Sequence, residues 1–83
     1  MKYFVYIIFN AKYNKFYIGQ TYNLTKRLLE HNQHLSKYTA KYDGEWTLVF
    51  NENFSTRAEA MKREKFLKAQ KNRDFYIKLT RDA

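Results

Sequence analysis

Cysteine and proline are absent from the 83 residues, and glycine occurs only twice. Without cysteine, neither a disulfide nor a cysteine-bound zinc can support the fold. Two histidines cannot complete a structural zinc site by themselves. No linker-like composition and no internal repeat interrupts the chain, so residues 1–83 are expected to form one domain. Long hydrophobic runs are also missing. The stretch Tyr3–Phe9 is too short to cross a bilayer, and no small-residue cleavage pattern follows it. Neither a membrane anchor nor a signal peptide is expected. Acidic side chains are few: eight Asp and Glu stand against sixteen Lys and Arg, a net charge of +8. That excess points to an anionic partner, with nucleic acid modestly ahead of other anions and of a merely solubilising surface. The compartment follows only from what is lacking, and the expectation is cytoplasm.

What the chain has in plenty is aromatic rings: eight Tyr, seven Phe and one Trp. A chain of this length buries roughly 60% of its unfolded surface, and large rings make the most of so thin a core. The apolar run places a first strand at roughly residues 3–9. Phe4, Tyr6 and Ile8 share one face, with Tyr3, Val5, Ile7 and Phe9 on the other. Both faces are apolar, which predicts a central strand covered on both sides. The polar stretch 10–15 reads as a hairpin loop, leading to a second strand at about 16–20. Tyr17 and Gly19 share a face there, and the missing side chain of Gly19 leaves space beside Tyr17 or admits another backbone. After Gly19 the period lengthens to that of a helix at about 24–33, with Asn23 as its N-cap and Leu24 and Leu28 turned inward. Residues 33–44 read as a polar loop closed by the Asp43-Gly44 turn signal. A third strand follows at about 45–53, with Trp46, Leu48 and Phe50 alternating against Thr47, Val49 and Asn51. Thr56 and Glu59 make a capping box for a second helix that runs to about residue 70. Asn72 is the expected cap of a short last helix at about 73–80. The fold class is α+β: a small three-stranded antiparallel sheet flanked by two main helices and a short C-terminal one.

Three placements carry chemistry. Arg27 and His31 are one helical turn apart and face neighbouring positions. A histidine on an apolar helix face is more often a satisfied core residue than a catalytic one. On the second helix, Glu64 falls between Leu67 and Met61 within the apolar stripe. A carboxylate there must be paired, hydrogen-bonded or bound to a cation, so Glu64 is either a metal ligand or an edge residue bridging to Lys68 or Arg57. In the loop, Lys37, Tyr38, Lys41 and Tyr42 mix cations with rings, a combination able to touch phosphates and stack on bases. A solvated loop with two anchoring tyrosines accounts for them equally well. His34 is read as a surface residue.

Val5-Tyr6-Ile7 and Tyr17-Ile18-Gly19 lie on adjacent strands, followed by Arg27, His31 and Glu64. In that order and spacing the chain resembles a GIY-YIG endonuclease domain, over essentially its whole length. It looks most similar to small stand-alone members. Tyr17-Ile18-Gly19 is the second tripeptide intact; Val5-Tyr6-Ile7 is a degenerate first one. The Lys37-Tyr38-Thr39 run also resembles an element of the small members. The resemblance implies a metal-dependent endonuclease that hydrolyses DNA phosphodiester bonds, with RNA left open as a substrate. Repair or recombination would be its setting. It implies a single Mg²⁺ or Mn²⁺ held by Glu64, with Arg27 on the scissile phosphate. Tyr6 would take or relay the proton of the attacking water, His31 would assist or orient it, and Tyr17 would position water or phosphate. An unperturbed phenol, near pKa 10, needs neighbouring cations to lower it for that task. Lys26, Lys37, Lys41, Arg57, Lys65, Lys68 and Lys71 would track the nucleic-acid backbone. Two positions depart from the pattern. The asparagine that many members carry about a dozen residues after the metal glutamate falls near Tyr76, with Asn72 the nearby asparagine. Gln20 stands where some members have lysine. Activity is therefore expected to be weak or to depend on a partner protein, and a double-strand break would require a homodimer or two visits. The alternatives are a non-catalytic nucleic-acid-binding module of the same fold and a small protein-interaction domain.

Overall fold

The computed structural model describes residues 2–81; Met1, Asp82 and Ala83, part of the expected 1–83 domain, lie outside the described residues. Strand β1 (Tyr3–Asn10) turns back into β2 (Lys15–Thr21), and helix α1 (Leu24–Asn32) follows. A 3-10 turn at Thr39–Lys41 interrupts the connection to β3 (Trp46–Phe54). Helix α2 (Arg57–Gln70) and helix α3 (Arg73–Arg81) complete the chain. The sheet is antiparallel in the order β2-β1-β3, so the most apolar strand is the central one.

Both faces of β1 are covered, as its composition requires. On one face Val5 and Ile7 join Ile18, Ala60 and Leu67 beneath α2. On the other, Tyr6, Ile8 and Trp46 pack with Tyr17, Leu24, Leu28, Tyr42 and Leu48 beneath α1. The expected strict alternation of β3 fails at one place. A register shift between Ile7 and Ile8 sets Ile7 opposite Phe50 and Ile8 opposite Leu48. Val49 is therefore the extra residue of a β-bulge, and Phe50 moves to the α2 face while Trp46 and Leu48 stay on the α1 face. Met61, expected in the apolar stripe of α2, is exposed; the buried residues of that helix are Ala60 and Leu67.

The helix caps are those the sequence indicates. The Asn23 side chain accepts from the Lys26 N–H at 3.1 Å, and Thr56 Oγ1 accepts from the Glu59 N–H at 3.2 Å. Asn72 Oδ1 accepts from the Asp74 N–H at 3.0 Å, which commits that side chain to capping α3. The polar loop is more ordered in design than its composition indicates. Asn10 is fully buried; its Oδ1 accepts from the Lys12 N–H at 3.0 Å and its Nδ2 donates to the Asp43 carbonyl at 3.0 Å. The hairpin tip and the 42–44 turn are thus tied together. Asn32 does the same at the end of α1, donating to the Trp46 carbonyl at 3.0 Å and accepting its N–H at 2.7 Å.

Candidate active site

Strand pairing brings Tyr6 opposite Gly19. A Cβ at residue 19 would lie 2.6 Å from the Tyr6 hydroxyl oxygen and 2.7 Å from its Cζ. The room left by the glycine is therefore filled by the Tyr6 ring, with Tyr17 beside it. The ring of Tyr17 lies 6.4 Å from that of Tyr6 and 5.1 Å from that of His31, centroid to centroid. The Tyr6–His31 separation is 5.7 Å, so three rings from β1, β2 and α1 converge. The Tyr6 hydroxyl sits 2.7 Å from His31 Nε2, and His31 Nδ1 sits 2.8 Å from Thr39 Oγ1. Tyr6 is 1% exposed and His31 and Thr39 are fully buried. Arg27 flanks this cluster, donating to Glu30 at 3.1 Å and to Ser36 Oγ at 3.3 Å.

Burial dominates the protonation of both groups. It pushes the Tyr6 phenol up to about 12, against the opposing pull of the adjacent Arg27 guanidinium. The negative charge of Glu64 adds a small push in the same upward direction. Burial, with Arg27's positive charge acting the same way, lowers His31 to about 4. The lowering of Tyr6 expected from neighbouring cations is thus not present in the protein alone, because the loss of water outweighs one guanidinium.

Glu64 approaches from the other face of the sheet, around the open edge of β2. Its Oε1 accepts from Gln20 Nε2 at 3.2 Å, and its Oε2 pairs with Lys68 Nζ at 2.9 Å. The carboxylate side chain is 18% exposed, against 54% for Lys68. The Lys68 bridge is the ordinary partner that the sequence offered for Glu64, and Gln20 is an additional one.

The basic residues form a belt around this edge. Lys26, Arg27 and Arg57 line one groove with Gln20 and Glu30. Arg27 also lines a second groove with Lys37, Lys41, Tyr17 and Tyr38. Lys65 and Lys68 flank Glu64, and Lys68 meets Tyr17, Tyr38 and Tyr76 in a fourth groove. Lys71 lines none of these four; it ends α2 in a left-handed conformation with φ 44°. From Tyr17 a ladder of rings leads away through Tyr38 (5.1 Å), Tyr42 (a further 5.9 Å) and Tyr13 (a further 5.3 Å). Lys41 and Lys15 each lie 5.8 Å from a ring of this ladder.

A profile of the GIY-YIG catalytic domain matches residues 2–78. This chain belongs to the GIY-YIG family. The UPF0213 protein YazA of Bacillus subtilis (strain 168) is 34% identical over 82 residues, covering 96% of this chain and 82% of that protein. The UPF0213 protein SH2523 of Staphylococcus haemolyticus is 38% identical over 63 residues, 76% of each chain. A solution NMR structure of the UPF0213 protein BH0048 from Bacillus halodurans has the same fold, with a TM-score of 0.57 at 28% identity. The match covers 92% of this chain and 80% of that one. The small stand-alone type expected from the sequence fits these relatives. Membership implies a nuclease, a hydrolase whose substrate is nucleic acid, and GIY-YIG nucleases generally use divalent metals.

The donors present in this GIY-YIG chain suit a hard cation that keeps most of its own waters. Glu64 offers one half-buried carboxylate, and Gln20 a neighbouring amide. Among the described residues no three or more His, Cys, Asp or Glu cluster to form a closed cage. A zinc-type site is therefore not built here, while a weak Mg²⁺ or Mn²⁺ site completed by substrate phosphate is compatible once the mobile-stemmed Lys68 turns aside. Tyr76, at the departure from the family pattern, donates to the Leu67 carbonyl at 2.6 Å and lines the groove of Tyr17 and Lys68. The sequence reading gave no role to Thr39, Ser36 or Glu30. Ser36 and Thr39 are short polar residues in an aperiodic loop, where spacing carries no signal beyond the hint of the Lys37-Tyr38-Thr39 run; Glu30 lies within α1, and its i,i+3 spacing from Arg27 was the signal that could have found it.

Proposed function

We propose that this protein is a divalent-metal-dependent endonuclease that nicks DNA with low intrinsic sequence specificity. The observation carrying this reading is the convergence of Tyr6, Tyr17, His31 and Arg27 on one face of the β2 edge, with Glu64 reaching the same edge from the other face. Breaking a phosphodiester needs an activated water, stabilisation of charge on the phosphate and a stabilised leaving oxygen. Arg27 is suited to the scissile phosphate because a guanidinium matches its oxygens in a fork. Tyr6 would take the proton of the attacking water while its own passes to His31 Nε2, 2.7 Å away, and Tyr17 would orient water or phosphate through its hydroxyl. Glu64 would hold the Mg²⁺ or Mn²⁺, which supplies Lewis-acid stabilisation of the phosphate when bound. Lys26, Lys37, Lys41, Arg57, Lys65, Lys68 and Lys71 would carry the flanking phosphates. Cytoplasm is the matching compartment for a cysteine-free nuclease. Among the described residues no helix is long and apolar enough to cross a membrane.

A second reading, a nucleic-acid-binding module without catalysis, is favoured by one observation: Glu64 is already paired with Lys68 and Gln20. Nicking of supercoiled plasmid with and without Mg²⁺ or Mn²⁺ separates the two. The nuclease reading expects metal-dependent nicking by the wild type and its loss in both Glu64→Ala and Tyr6→Phe. Salt-dependent DNA binding with no nicking at any metal concentration would replace it with the binding module.

A further inference from the structure

The tyrosines that lead away from the site form a surface feature and not a core. Tyr17, Tyr38, Tyr42 and Tyr13 follow one another at 5.1, 5.9 and 5.3 Å, centroid to centroid. Tyr17 and Tyr42 back onto the buried cluster of Tyr6, Ile8 and Trp46, so the ladder is anchored from beneath. Tyr38 and Tyr13 reach solvent, each 41% exposed. Asp43 fixes the far end. Its carboxylate accepts from the Tyr13 hydroxyl and from Lys12 Nζ, which neutralises Lys12 locally. Lys15 and Lys41 make no ion pair among the described residues. Each lies 5.8 Å from a ring centre, that of Tyr42 and that of Tyr38 respectively. At the near end Tyr17 and Tyr38 share one groove with Arg27 and Lys41 and another with Lys68. Rings and unpaired cations therefore lie side by side from the site outward.

A polymer with one ring and one negative charge in each unit matches this arrangement. In a duplex the bases stack on one another and show a protein only their edges. Cations alone serve its phosphates, and the exposed tyrosines would meet no base. An unpaired strand offers its base faces, and any base can stack on an aromatic side chain because every base has a π-face. The ring spacings of 5.1–5.9 Å exceed the rise of about 3.4 Å per nucleotide in a duplex, and so suit bases drawn apart from one another. The lysines near the ring faces give way readily, since an exposed cation–π contact is weaker than a base stack. We infer that Tyr17, Tyr38, Tyr42 and Tyr13, with Lys15 and Lys41, are a binding track for a single strand of DNA, whose unpaired bases stack on the rings between the site and the tip of the β1–β2 hairpin. Tyr17 is the rung that the track shares with the site. That the bound strand is also the strand cut rests on the nuclease reading; the binding itself does not.

The test is fluorescence anisotropy of the full chain in EDTA, where no metal-dependent cutting interferes. The probes are a labelled single-stranded DNA of mixed sequence, about twelve nucleotides long, and the same sequence as a blunt duplex. The wild type is expected to bind the single strand roughly fivefold or more tightly than the duplex at equal salt. Tyr38→Leu and Tyr13→Leu each weaken single-strand binding by roughly fivefold or more and leave duplex binding within about twofold, which also shows that they are folded. Tyr38→Phe keeps the ring face and keeps the affinity. Equal or tighter binding of the duplex by the wild type overturns the inference. So does a Tyr38→Leu protein that binds the single strand unchanged, or a Tyr38→Phe protein that binds it as weakly as Tyr38→Leu. Nicking is read separately with Mg²⁺ or Mn²⁺. A wild type that prefers the single strand yet nicks nothing would sink the nuclease reading and leave the track standing. Metal-dependent nicking by a protein with no preference for the single strand would do the reverse.

Discussion

At the scale of the residue, the site depends on one missing side chain. Gly19 is buried against the Tyr6 phenol, and a methyl group there would lie 2.6 Å from the phenol oxygen. The Tyr6 ring cannot retreat, because its hydroxyl is held by His31. Gly19→Ala should therefore lower stability by about 1–3 kcal/mol, the usual range for overpacking, as read from urea unfolding. Nicking should fall further than the lost stability explains, because the displaced group is the proposed proton carrier. An alanine variant that is as stable and as active as the wild type would show that the ring can shift freely. The sequence revealed the tyrosine, the glycine and their strands. It left open whether the space beside Gly19 served Tyr17 or another backbone. That depends on cross-strand register, which no local pattern specifies and which here sets Tyr6 directly opposite Gly19. The protonation states were hidden for a similar reason. Burial at Tyr6 comes from α1 and the loop beyond it, so the high phenol pKa is a tertiary effect.

At the scale of the element, short polar side chains substitute for regular structure where the chain lacks it. Asn32 meets both the N–H and the C=O of Trp46, giving the start of β3 the two bonds that a further strand would have supplied. Asn32→Ala should cost about 1–3 kcal/mol, since part-buried backbone groups lose their partner. The amide protons at the start of β3 should exchange faster in that variant than those of β1, a contrast that hydrogen exchange reads directly. Equal exchange at both strands would mean that the clamp is idle. The sequence revealed the regular elements: three strands, three helices and the helix caps. It could not reveal the bulge at Val49, because one inserted residue reverses the facing of everything after it. Nor could it expose the loop's 3-10 turn: its buried Thr39, and Ser36 buried just before it, look in sequence like any solvated polar stretch.

At the scale of the whole molecule, two buried titratable groups shape stability against pH. His31 has a folded value of about 4 against an ordinary 6.5, so between those values the unfolded chain binds more protons. Its contribution is complete above about pH 6.5 and is lost as pH falls toward 4. Tyr6 is raised from 10.0 to about 12, so it works at the other end. There the unfolded chain releases the proton first, and stability falls as pH climbs past 10. Thermal unfolding followed across pH should give a plateau between these limits, with Tyr6→Phe removing the alkaline fall attributable to that phenol. A melting temperature that holds steady from about pH 7 down to about pH 4 would contradict the burial of a neutral His31. Net charge of +8 adds self-repulsion that grows in acid, and added salt separates that diffuse effect from the buried histidine.

The single tryptophan has a consequence of another kind. Trp46 is 1% exposed and lies in the same cluster as Tyr6, beneath α1, with Tyr42 6.3 Å away as a neighbouring ring. Excitation of the tyrosines will pass to it by energy transfer, and its own emission will lie toward the blue while that face of the sheet is closed. The protein thus carries its one tryptophan, an unlabelled optical probe, on the side of the sheet where Tyr6 sits, while the rings of the cluster beneath α2 are phenylalanines and the tyrosines Tyr3 and Tyr76. Excited directly, the indole will change its light when the region around Tyr6 loosens and keep it when loosening is confined to the α2 face.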